Sequence, residues 1–398
     1  MRRVLVVSYY TPPLGLSGVM RVTKLCKFLP EFGWRPLVLT VKPAAYYYYD
    51  PELLTDLKEV KVYRTESIDP ARLLNRMRSG RSRLKPVLRN SLGKGVRLFN
   101  YFLFPDSKAG WFPFGSVAGR HIIDQEKPAA IFATAPPFTA LLLGVRLKAH
   151  AHIPLVVDFR DPWPTGFVQP PSLQRPALRE LRRYFVRHAD LVLAVNAGTA
   201  RQVGAETVVL DNGFDPEDFQ LPGTRLEGFS IVHVGNLWQN QKEIIAVAEA
   251  IQDIPAGADG RLPLLYLAGR MDQITRQELK GNARVRILGT LSHKEVCGLM
   301  KGADVLLYLG KPEQPVGIKL YEYLGARRPI VVFGKDINEA ARIVADCGAG
   351  VTCFDSDSLC ASFEQIRTEP SRFTNGGRGR FNRRKQTRWL AEKMESLI

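Results

Sequence analysis

The sequence predicts an α/β protein of two Rossmann-like domains, and three observations lead to this prediction. Short apolar, β-branched runs alternate with longer helical segments along nearly the whole chain, as in parallel sheets covered by helices. This alternation breaks near residues 216–228 and then restarts. A length of 398 residues also exceeds what one ordinary core accommodates, so two domains are the natural division.

The first domain is expected to cover residues 1–215. Its opening apolar run imitates a signal peptide, but the run is very short and breaks at Tyr9, Tyr10 and Pro12. We therefore interpret it as the first buried strand and expect the protein to stay in the cytoplasm. Helices near 19–32 and 174–188 alternate with strands at 4–7, 35–40, 130–133, 155–158 and 191–195.

Residues 216–228 are predicted to link the domains, and the second domain is expected to cover 229–380. A last helix over 381–398 is basic and amphipathic, and we expect it to pack back against the first domain. The strands of the second domain are predicted at 231–234, 264–267, 284–288, 305–309 and 329–333.

The chain has 56 Lys and Arg against 39 Asp and Glu, and this net charge of +17 predicts an anionic partner or surface. Much of the excess lies in an insertion over about 69–106, where basic and apolar residues are interleaved. We expect its basic part, 72–97, to bind an anionic membrane surface; a solvated helical insertion is the alternative. The aromatic residues cluster at one end and are not spaced to stack on successive bases, so no nucleic acid is expected.

Hydropathy and cysteine usage set further limits. A mean hydropathy of −0.11 with 45% hydrophobic residues indicates a folded chain. No apolar run approaches the ~20 residues that cross a bilayer. The five cysteines include no C-x-x-C pair and are expected to be free, mostly buried thiols.

The most informative stretch covers residues 315–330, where helical spacing is followed by an apolar β-branched run. Lys319 and Glu322 share one face near the N-terminus of this predicted helix, and Gly325 is its predicted C-terminal cap. A helix N-terminus suits a phosphate, so Lys319 is a candidate phosphate ligand and Glu322 a candidate acceptor for sugar hydroxyls. The alternative is a surface ion pair worth roughly 0.2–0.5 kcal/mol.

The first domain offers a second group of candidates. Gly15 and Gly18 lie in a strand–loop–helix arrangement that lets the backbone approach a ligand, and Arg21 faces the same opening. Arg160 and Asp161 follow a strand at its carboxyl end, where open α/β sheets bind ligands. The alternatives are a solvated charge for Arg21 and a mutual salt bridge for the other two.

No metal or cofactor site is expected. The sequence contains no P-loop, H-E-x-x-H, G-x-S-x-G or complete G-x-G-x-x-G motif. Asp355 and Asp357 form a D-x-D pair, but Asp355 is better placed to cap the helix that follows.

Five motifs, in this order, give the chain a family resemblance. They are Y-T-P-P-L-G-L-S-G at 10–18 with Arg21, F-R-D-P-W-P at 159–164, D-N-G-F-D at 211–215, V-G-N at 234–236 and K-L-Y-E-Y-L-G at 319–325. On these residues the chain resembles the retaining glycosyltransferases of family four, in particular members that assemble bacterial polysaccharides. The resemblance implies the GT-B fold, in which two Rossmann-like domains face a cleft.

For the second domain the resemblance implies a donor-binding site. Glu322 matches the glutamate that binds the donor ribose, and Lys319 and Lys242 match residues beside the donor diphosphate. Gly235 and Asn236 belong to the same site, with Asn236 in place of the usual arginine.

For the first domain the resemblance implies a loop and a catalytic position. Gly15 and Gly18 match the loop that closes over the donor phosphate and sugar, and Arg21 accompanies them. Arg160 or Asp161 stands where many members have a catalytic-site histidine.

The family's E-x7-E signature is incomplete in this chain. Gln314 stands eight residues before Glu322, and Glu313 is one place off. The residue that holds the transferred sugar is therefore open.

The implied reaction is metal-independent transfer, with retention, of a sugar from a nucleotide-sugar donor to a lipid-linked or polysaccharide acceptor. The nucleotide sugar is a co-substrate, and no other cofactor is expected. Lys242 and Lys319 would stabilise the leaving diphosphate while the acceptor attacks from the same face. We expect the enzyme at the inner face of the cell membrane. Two alternatives stay open: a nucleotide-sugar epimerase of the same architecture, and a non-enzymatic binding protein for nucleic acid or another anionic polymer.

Overall fold

The computed structural model describes ten stretches of the chain, and the described residues form two compact units. One unit comprises Met1–Asn212 with Gln386–Ile398, and the other comprises Gly213–Lys385. The described stretches are 1–15, 17–43, 49–68, 103–163, 174–204, 206–238, 240–310, 316–335, 337–373 and 376–398.

The first unit contains a parallel sheet of seven described strands in the order β3-β2-β1-β4-β5-β6-β7. The inner strands are almost wholly apolar because helices cover both faces of such a sheet. The strands are β1 (Arg2–Val7), β2 (Trp34–Val41), β3 (Lys61–Thr65), β4 (Ala130–Ala135), β5 (Leu155–Phe159), β6 (Leu191–Ala194) and β7 (Val208–Val209). The helices are α1 (Ser17–Phe28), α2 (Phe112–Glu126), α3 (Thr139–Ala151), α4 (Arg175–His188) and α5 (Ala197–Val203).

The second unit repeats this architecture with six described strands in the order β10-β9-β8-β11-β12-β13, again all parallel. Its strands are β8 (Phe229–Val234), β9 (Pro263–Ala268), β10 (Val285–Gly289), β11 (Val305–Leu309), β12 (Ile330–Phe333) and β13 (Gly350–Cys353). Its helices are α6 (Gln241–Ala250), α7 (Gln273–Leu279), α8 (His293–Gly302), α9 (Ile318–Ala326), α10 (Asn338–Asp346) and α11 (Ser356–Thr368). The two sheets confirm the prediction of two Rossmann-like domains.

The last helix, α12 (Arg383–Glu395), returns the chain to the first unit. Leu390, Ala391 and Met394 are buried in the same apolar cluster as Val4 and Trp34. The expected packing of the C-terminal helix against the first domain is therefore confirmed.

The stretch predicted as a linker, 216–228, lies within the second unit. Two of its apolar residues, Phe219 and Leu226, pack on the main core cluster of this unit. The backbone N–H of Thr224 also donates to the carbonyl of Gly298 at 2.9 Å. These contacts attach the stretch to the second unit, and no periodic pattern in its sequence indicated them.

Gly325 is not the C-terminal cap of α9. It lies inside the helix, where an added Cβ would come within 2.5 Å of the Phe219 ring and 2.8 Å of Phe214. Arg327 adopts the left-handed conformation of the cap instead, with φ of 60°. Close aromatic packing, rather than helix termination, therefore accounts for this glycine.

Three further expectations concern particular stretches and residue types. The basic stretch 72–97 lies outside the described residues. All five cysteines are free, and four of them are buried, as expected. In the described part of the chain, none of the helices has both the length and the apolar character needed to cross a bilayer.

Met394→Ala should lower the free energy of unfolding by about 2–5 kcal/mol, because it leaves a cavity between α12 and the first sheet. Chemical denaturation monitored by circular dichroism measures this change. Glu392→Ala on the exposed face of α12 is the control and should change stability by less than about 1 kcal/mol. Equal effects of both substitutions would contradict the packing of α12.

Candidate active site

The sheet of the second unit reverses its strand order between the neighbouring strands β8 and β11. Open α/β sheets bind ligands at the carboxyl ends of the strands at such a switch point. The loop after β8 leads into α6, and the loop after β11 leads into α9. Residues 311–315 of the latter loop, which include Gln314 and Glu313, lie outside the described residues.

Lys242 and Lys319 are each the second residue of the helix that begins at this switch point, α6 and α9 respectively. A lysine at a helix N-terminus lies beside the positive end of the helix dipole, which repels cations and favours acidic residues. The first turn of α9 contains no acidic residue. The helix dipole disfavours a cation at the N-terminus of a helix. Two lysines in this position therefore indicate that an anion binds beside them.

Lys319 and Glu322 form a close ion pair within α9, with Nζ and Oε2 2.5 Å apart. The carboxylate side chain is only 6% exposed, whereas the lysine side chain is 31% exposed. Burial alone would lower the pKa of Lys319, but the adjacent Glu322 carboxylate outweighs it and raises this pKa above its ordinary value. Lys319 therefore stays cationic throughout the neutral range.

Two tyrosines fix the position of α9 relative to the neighbouring strands. The Tyr308 hydroxyl on β11 accepts a hydrogen bond from the N–H of Gly317, just before the helix, at 3.0 Å. The Tyr323 hydroxyl accepts one from the N–H of Val234 at the end of β8 at 2.8 Å. The helix that presents Lys319 is thereby attached to both strands of the switch point.

Two glycines shape the loops after β8 and β9, which pass close to each other. Gly235 has a φ of 155°, which lies outside the range favoured for other residues. A Cβ on Gly269, which follows β9, would lie 2.0 Å from the carbonyl oxygen of Gly235. Asn236 is exposed, and its Oδ1 accepts a hydrogen bond from the N–H of Arg270 at 3.2 Å.

A cluster that the sequence did not predict lies close enough to Lys319 for its charges to help raise the pKa of this lysine. His293 Nε2 lies 2.9 Å from the Asp218 carboxylate and 3.6 Å from Cys297 Sγ. The i,i+4 spacing of His293 and Cys297 on α8 was visible in the sequence, but nothing local pointed to Asp218.

Among the described residues, Asp218, His293 and Cys297 form the group that could hold a metal ion. Their potential ligand atoms lie within 4.8 Å of one another. Burial opposes protonation of His293, yet its bond to Asp218 raises its pKa above the ordinary value. Burial raises the pKa of the Cys297 thiol. Metal binding needs the deprotonated forms of both groups, so hydrogen bonding is the role that these pKa values favour.

Asp355 caps α11 by accepting from the N–H of Ser358 at 2.8 Å, as predicted.

In the first unit, Arg160 acts as a clamp on the glycine loop. Its guanidinium donates to the carbonyls of Gly18 and Pro136, and to that of Ala135 at 3.3 Å. A Cβ on Gly18 would approach Arg160 Nη1 to 3.0 Å, so the glycine allows this contact. Gly15 lies in the loop between β1 and α1, whereas Gly18 is the second residue of α1; this loop is at the β1–β4 switch point of the first sheet.

The guanidinium of Arg21 binds protein groups, so the alternative of a solvated surface charge is wrong. Its Nε and Nη2 donate to both carboxylate oxygens of Asp158 at 3.0 and 2.7 Å, and its Nη1 donates to the carbonyl of Asp211 at 3.0 Å. Thr134 also donates to Asp158, at 2.7 Å. Arg21 and Asp158 are 137 residues apart, which is why the sequence did not show the pair.

Asp161 differs from Asp158 although it lies only three residues further on. The mutual salt bridge between Arg160 and Asp161, which was the alternative interpretation, does not form among the described residues, because the Arg160 head group points to backbone carbonyls. Burial raises the pKa of Asp161, and the Arg160 charge only partly offsets this effect. The site thus contains one carboxylate in a full ion pair and one partly desolvated carboxylate.

Two family models match the chain. A glycosyl transferase 4-like domain matches residues 18–212, and a domain of glycosyl transferases group 1 matches residues 228–368. The chain belongs to the glycosyltransferases that these two domain models describe. The two matched regions leave only short segments uncovered, and this agrees with the motif resemblance. No curated protein sequence matches the chain.

This glycosyltransferase also shares its fold with solved structures. Anabaena HepE in complex with UDP is 17% identical, with a TM-score of 0.64 and 100% of each chain covered. Sucrose-phosphate synthase from Thermosynechococcus elongatus is 15% identical, with a TM-score of 0.64 and 100% and 99% covered. A Listeria monocytogenes structure described as a proposed UDP-N-acetylglucosamine 2-epimerase is 10% identical, with a TM-score of 0.60 and 99% and 96% covered. At these identities the likeness concerns the fold alone.

Asp158→Asn should destabilise the glycosyltransferase by about 3–5 kcal/mol, because it leaves the buried Arg21 guanidinium without its counter-charge. Thermal or chemical denaturation of the purified variant measures this loss. A loss below about 1 kcal/mol would mean that the pair is exposed to water.

Asp161→Asn should instead increase stability at neutral pH. Folding raises the pKa of Asp161, so the folded chain binds more protons than the unfolded chain between the ordinary and the raised pKa. Stability therefore falls as the pH rises through that window and stays lower above it. Melting temperatures of both proteins from pH 4 to 8 should converge at the acidic end, and parallel curves would contradict the assignment.

Proposed function

We propose that this glycosyltransferase transfers a sugar from a nucleotide-sugar donor to a lipid-linked or polysaccharide acceptor, with retention and without a metal ion. The main support is the arrangement of Lys242 and Lys319, each placed at the start of a helix at the switch point of the second sheet. HepE, which shares the fold, was solved with UDP and with UDP-glucose, and this supports a uridine nucleotide as the first donor to test.

The diphosphate of the donor would lie between the N-termini of α6 and α9. Departure of the nucleoside diphosphate builds negative charge, and the two lysines with the free N–H groups of the helices would stabilise it. Lys242 is exposed and forms no ion pair among the described residues, so its charge is available to an anion. Gly235 and Asn236 would line the same side of the diphosphate.

Glu322 would bind the ribose hydroxyls. Its carboxylate is nearly buried, and Lys319 is its ion-pair partner. When the diphosphate arrives, the Lys319 ammonium can contact both the carboxylate and a phosphate oxygen, because an ammonium has three donors. The pair would therefore serve as a preformed bridge between the sugar and phosphate parts of the nucleotide.

The first-unit candidates have separate proposed roles. Gly15 and Gly18 would provide the loop over the donor sugar, held in place by Arg160, and Arg21 would fix the sheet edge through Asp158. Asp161 is the proposed catalytic-site carboxylate that contacts the reacting groups. With retention, the acceptor hydroxyl would attack the face that the diphosphate leaves, and the leaving phosphate would take its proton.

The acceptor and the location follow from charge. The basic stretch 72–97 would hold the enzyme on the inner, anionic face of the cell membrane, where lipid-linked acceptors are found. The same stretch gives no advantage to a nucleotide-sugar epimerase, which needs no acceptor.

Lys319→Ala should reduce kcat/KM for sugar transfer by about a hundredfold or more, because it removes a charge that stabilises the departing diphosphate. Glu322→Gln should mainly raise KM for the donor, since a ribose contact stabilises ground and transition states alike. Radiolabelled donor and an isolated membrane fraction as acceptor provide the assay. Lys280→Ala and Glu278→Gln, both on the exposed surface near α7, are matched controls and should retain wild-type rates.

A saturating nucleoside diphosphate should stabilise the wild-type enzyme by about 2–3 kcal/mol at a hundred times its Kd, since it binds only the folded state. A thermal-shift comparison of UDP, GDP and ADP would identify the base. The shift should be small in Lys242→Ala and Lys319→Ala and full in Lys280→Ala. A full shift in the first two variants would exclude this site as the diphosphate site.

A further inference from the structure

A basic pocket in the second unit has no part in the reaction proposed above. It has a volume of about 620 Å³ and is lined by four cationic residues and no carboxylate. These cationic residues are Lys301, Arg327, Arg378 and Lys385.

The pocket lies at the end of α9 that is remote from the donor site. Lys319 is at the second position of α9, whereas Arg327 follows its last residue. Eight residues of α-helix separate them, a rise of roughly 12 Å. The two groups of charges are therefore separate sites on one helix.

The four cations lack counter-charges. In the described chain none of them forms an ion pair, although neighbouring arginines do: Arg384 pairs with Glu217, and Arg380 pairs with Asp346. The Lys301 ammonium donates to the carbonyls of Phe219, at 2.8 Å, and Leu221. These contacts orient the ammonium but leave its charge uncompensated.

Arg378 makes the pocket tolerant of an anion. The C-terminal carbonyls of a helix repel negative charge. Arg378 donates to one of them, the carbonyl of Leu324, at 3.3 Å and also lines the pocket. The unfavourable end of α9 is thereby covered by a guanidinium.

Aromatic packing creates the depth of the pocket. The rings of Phe214 and Phe219 meet edge to face, 6.3 Å apart, and rest on Gly325. Gly376 and Gly379 also line the pocket, and the absence of side chains there leaves the backbone accessible. The lining thus combines aromatic side chains with four cationic residues.

We propose that this pocket binds a phosphate-bearing ligand. Two guanidinium and two ammonium groups suit a ligand with at least two negative charges, because guanidinium groups bind phosphate oxygens in pairs and ammonium groups add point charges. Free polyphosphate and the headgroup of an anionic lipid present the same chemistry. This proposal does not depend on the donor site, since it uses other residues.

The test compares two double variants that remove equal charge. Arg327→Asn with Lys385→Gln removes two cations from the pocket, and asparagine tolerates the left-handed backbone at position 327. Arg276→Asn with Lys280→Gln removes two exposed cations in and just after α7 and is the control. Circular dichroism and melting temperature establish that both variants fold.

The first experiment measures the binding of inorganic pyrophosphate by isothermal titration calorimetry. Pyrophosphate also suits the donor site. Both double variants are therefore combined with Lys319→Ala and compared with the Lys319→Ala protein, which is itself compared with wild type. The pocket variant should bind pyrophosphate about tenfold more weakly than the control variant, because two charged contacts are lost.

The second experiment is sedimentation with phosphatidylglycerol vesicles, using phosphatidylcholine vesicles as the neutral reference. Weaker sedimentation of the pocket variant alone identifies a lipid headgroup as the ligand source, and weaker pyrophosphate binding alone identifies a free phosphate compound. Equal behaviour of the pocket and control variants in both experiments overturns the proposal. Pyrophosphate binding that disappears with Lys319→Ala, together with unchanged vesicle binding, also overturns it and leaves the donor site intact.

Discussion

The contact between Lys319 and Glu322 at the beginning of α9 is the interaction on which the functional account depends. A helix N-terminus attracts anions, yet here a cation occupies its first turn and a nearly buried carboxylate holds that cation. Glu322 is shielded from water, so this contact is not the weak, solvent-exposed ion pair that was the alternative. It leaves the ammonium able to contact a second anion beside the carboxylate. A nucleotide offers both partners, with a phosphate for the lysine and a ribose for the glutamate.

Two tyrosines of the second unit hold the helix that bears this pair in position. Tyr308 and Tyr323 tie α9 to β11 and β8, and a rigid attachment keeps a charged site oriented without the ligand. In the first unit, Arg21 and Arg160 have a comparable structural role. Their guanidinium groups bind Asp158 and backbone carbonyls, so they stabilise the loops that the family resemblance assigns to the donor.

The sequence predicted the fold well because buried parallel strands are long apolar runs, and β1, β4 and β12 stand out without any tertiary information. It missed β3, an edge strand whose residues alternate and include Lys61 and Arg64. It also gave no sign of the short helix α5, which Asn196 caps through the N–H of Thr199. Short helices and edge strands bury too little surface to leave a clear pattern.

The candidate site was predictable only where its residues are neighbours in the chain. Lys319 and Glu322 share a helix turn, so their proximity followed from spacing. The bonds of Arg21 to Asp158 and of His293 to Asp218 join residues 137 and 75 positions apart, and no local pattern encodes them. The motif resemblance proposed Arg21 and Arg160 as site residues but did not reveal that both side chains would be buried.

A crystal structure of the enzyme with a bound nucleoside diphosphate tests the central claim most directly. The account predicts a phosphate oxygen within hydrogen-bonding distance of Lys319 Nζ and a ribose hydroxyl on the carboxylate of Glu322. A nucleotide bound elsewhere, with the Lys319–Glu322 pair unchanged and without a ligand contact, would contradict it.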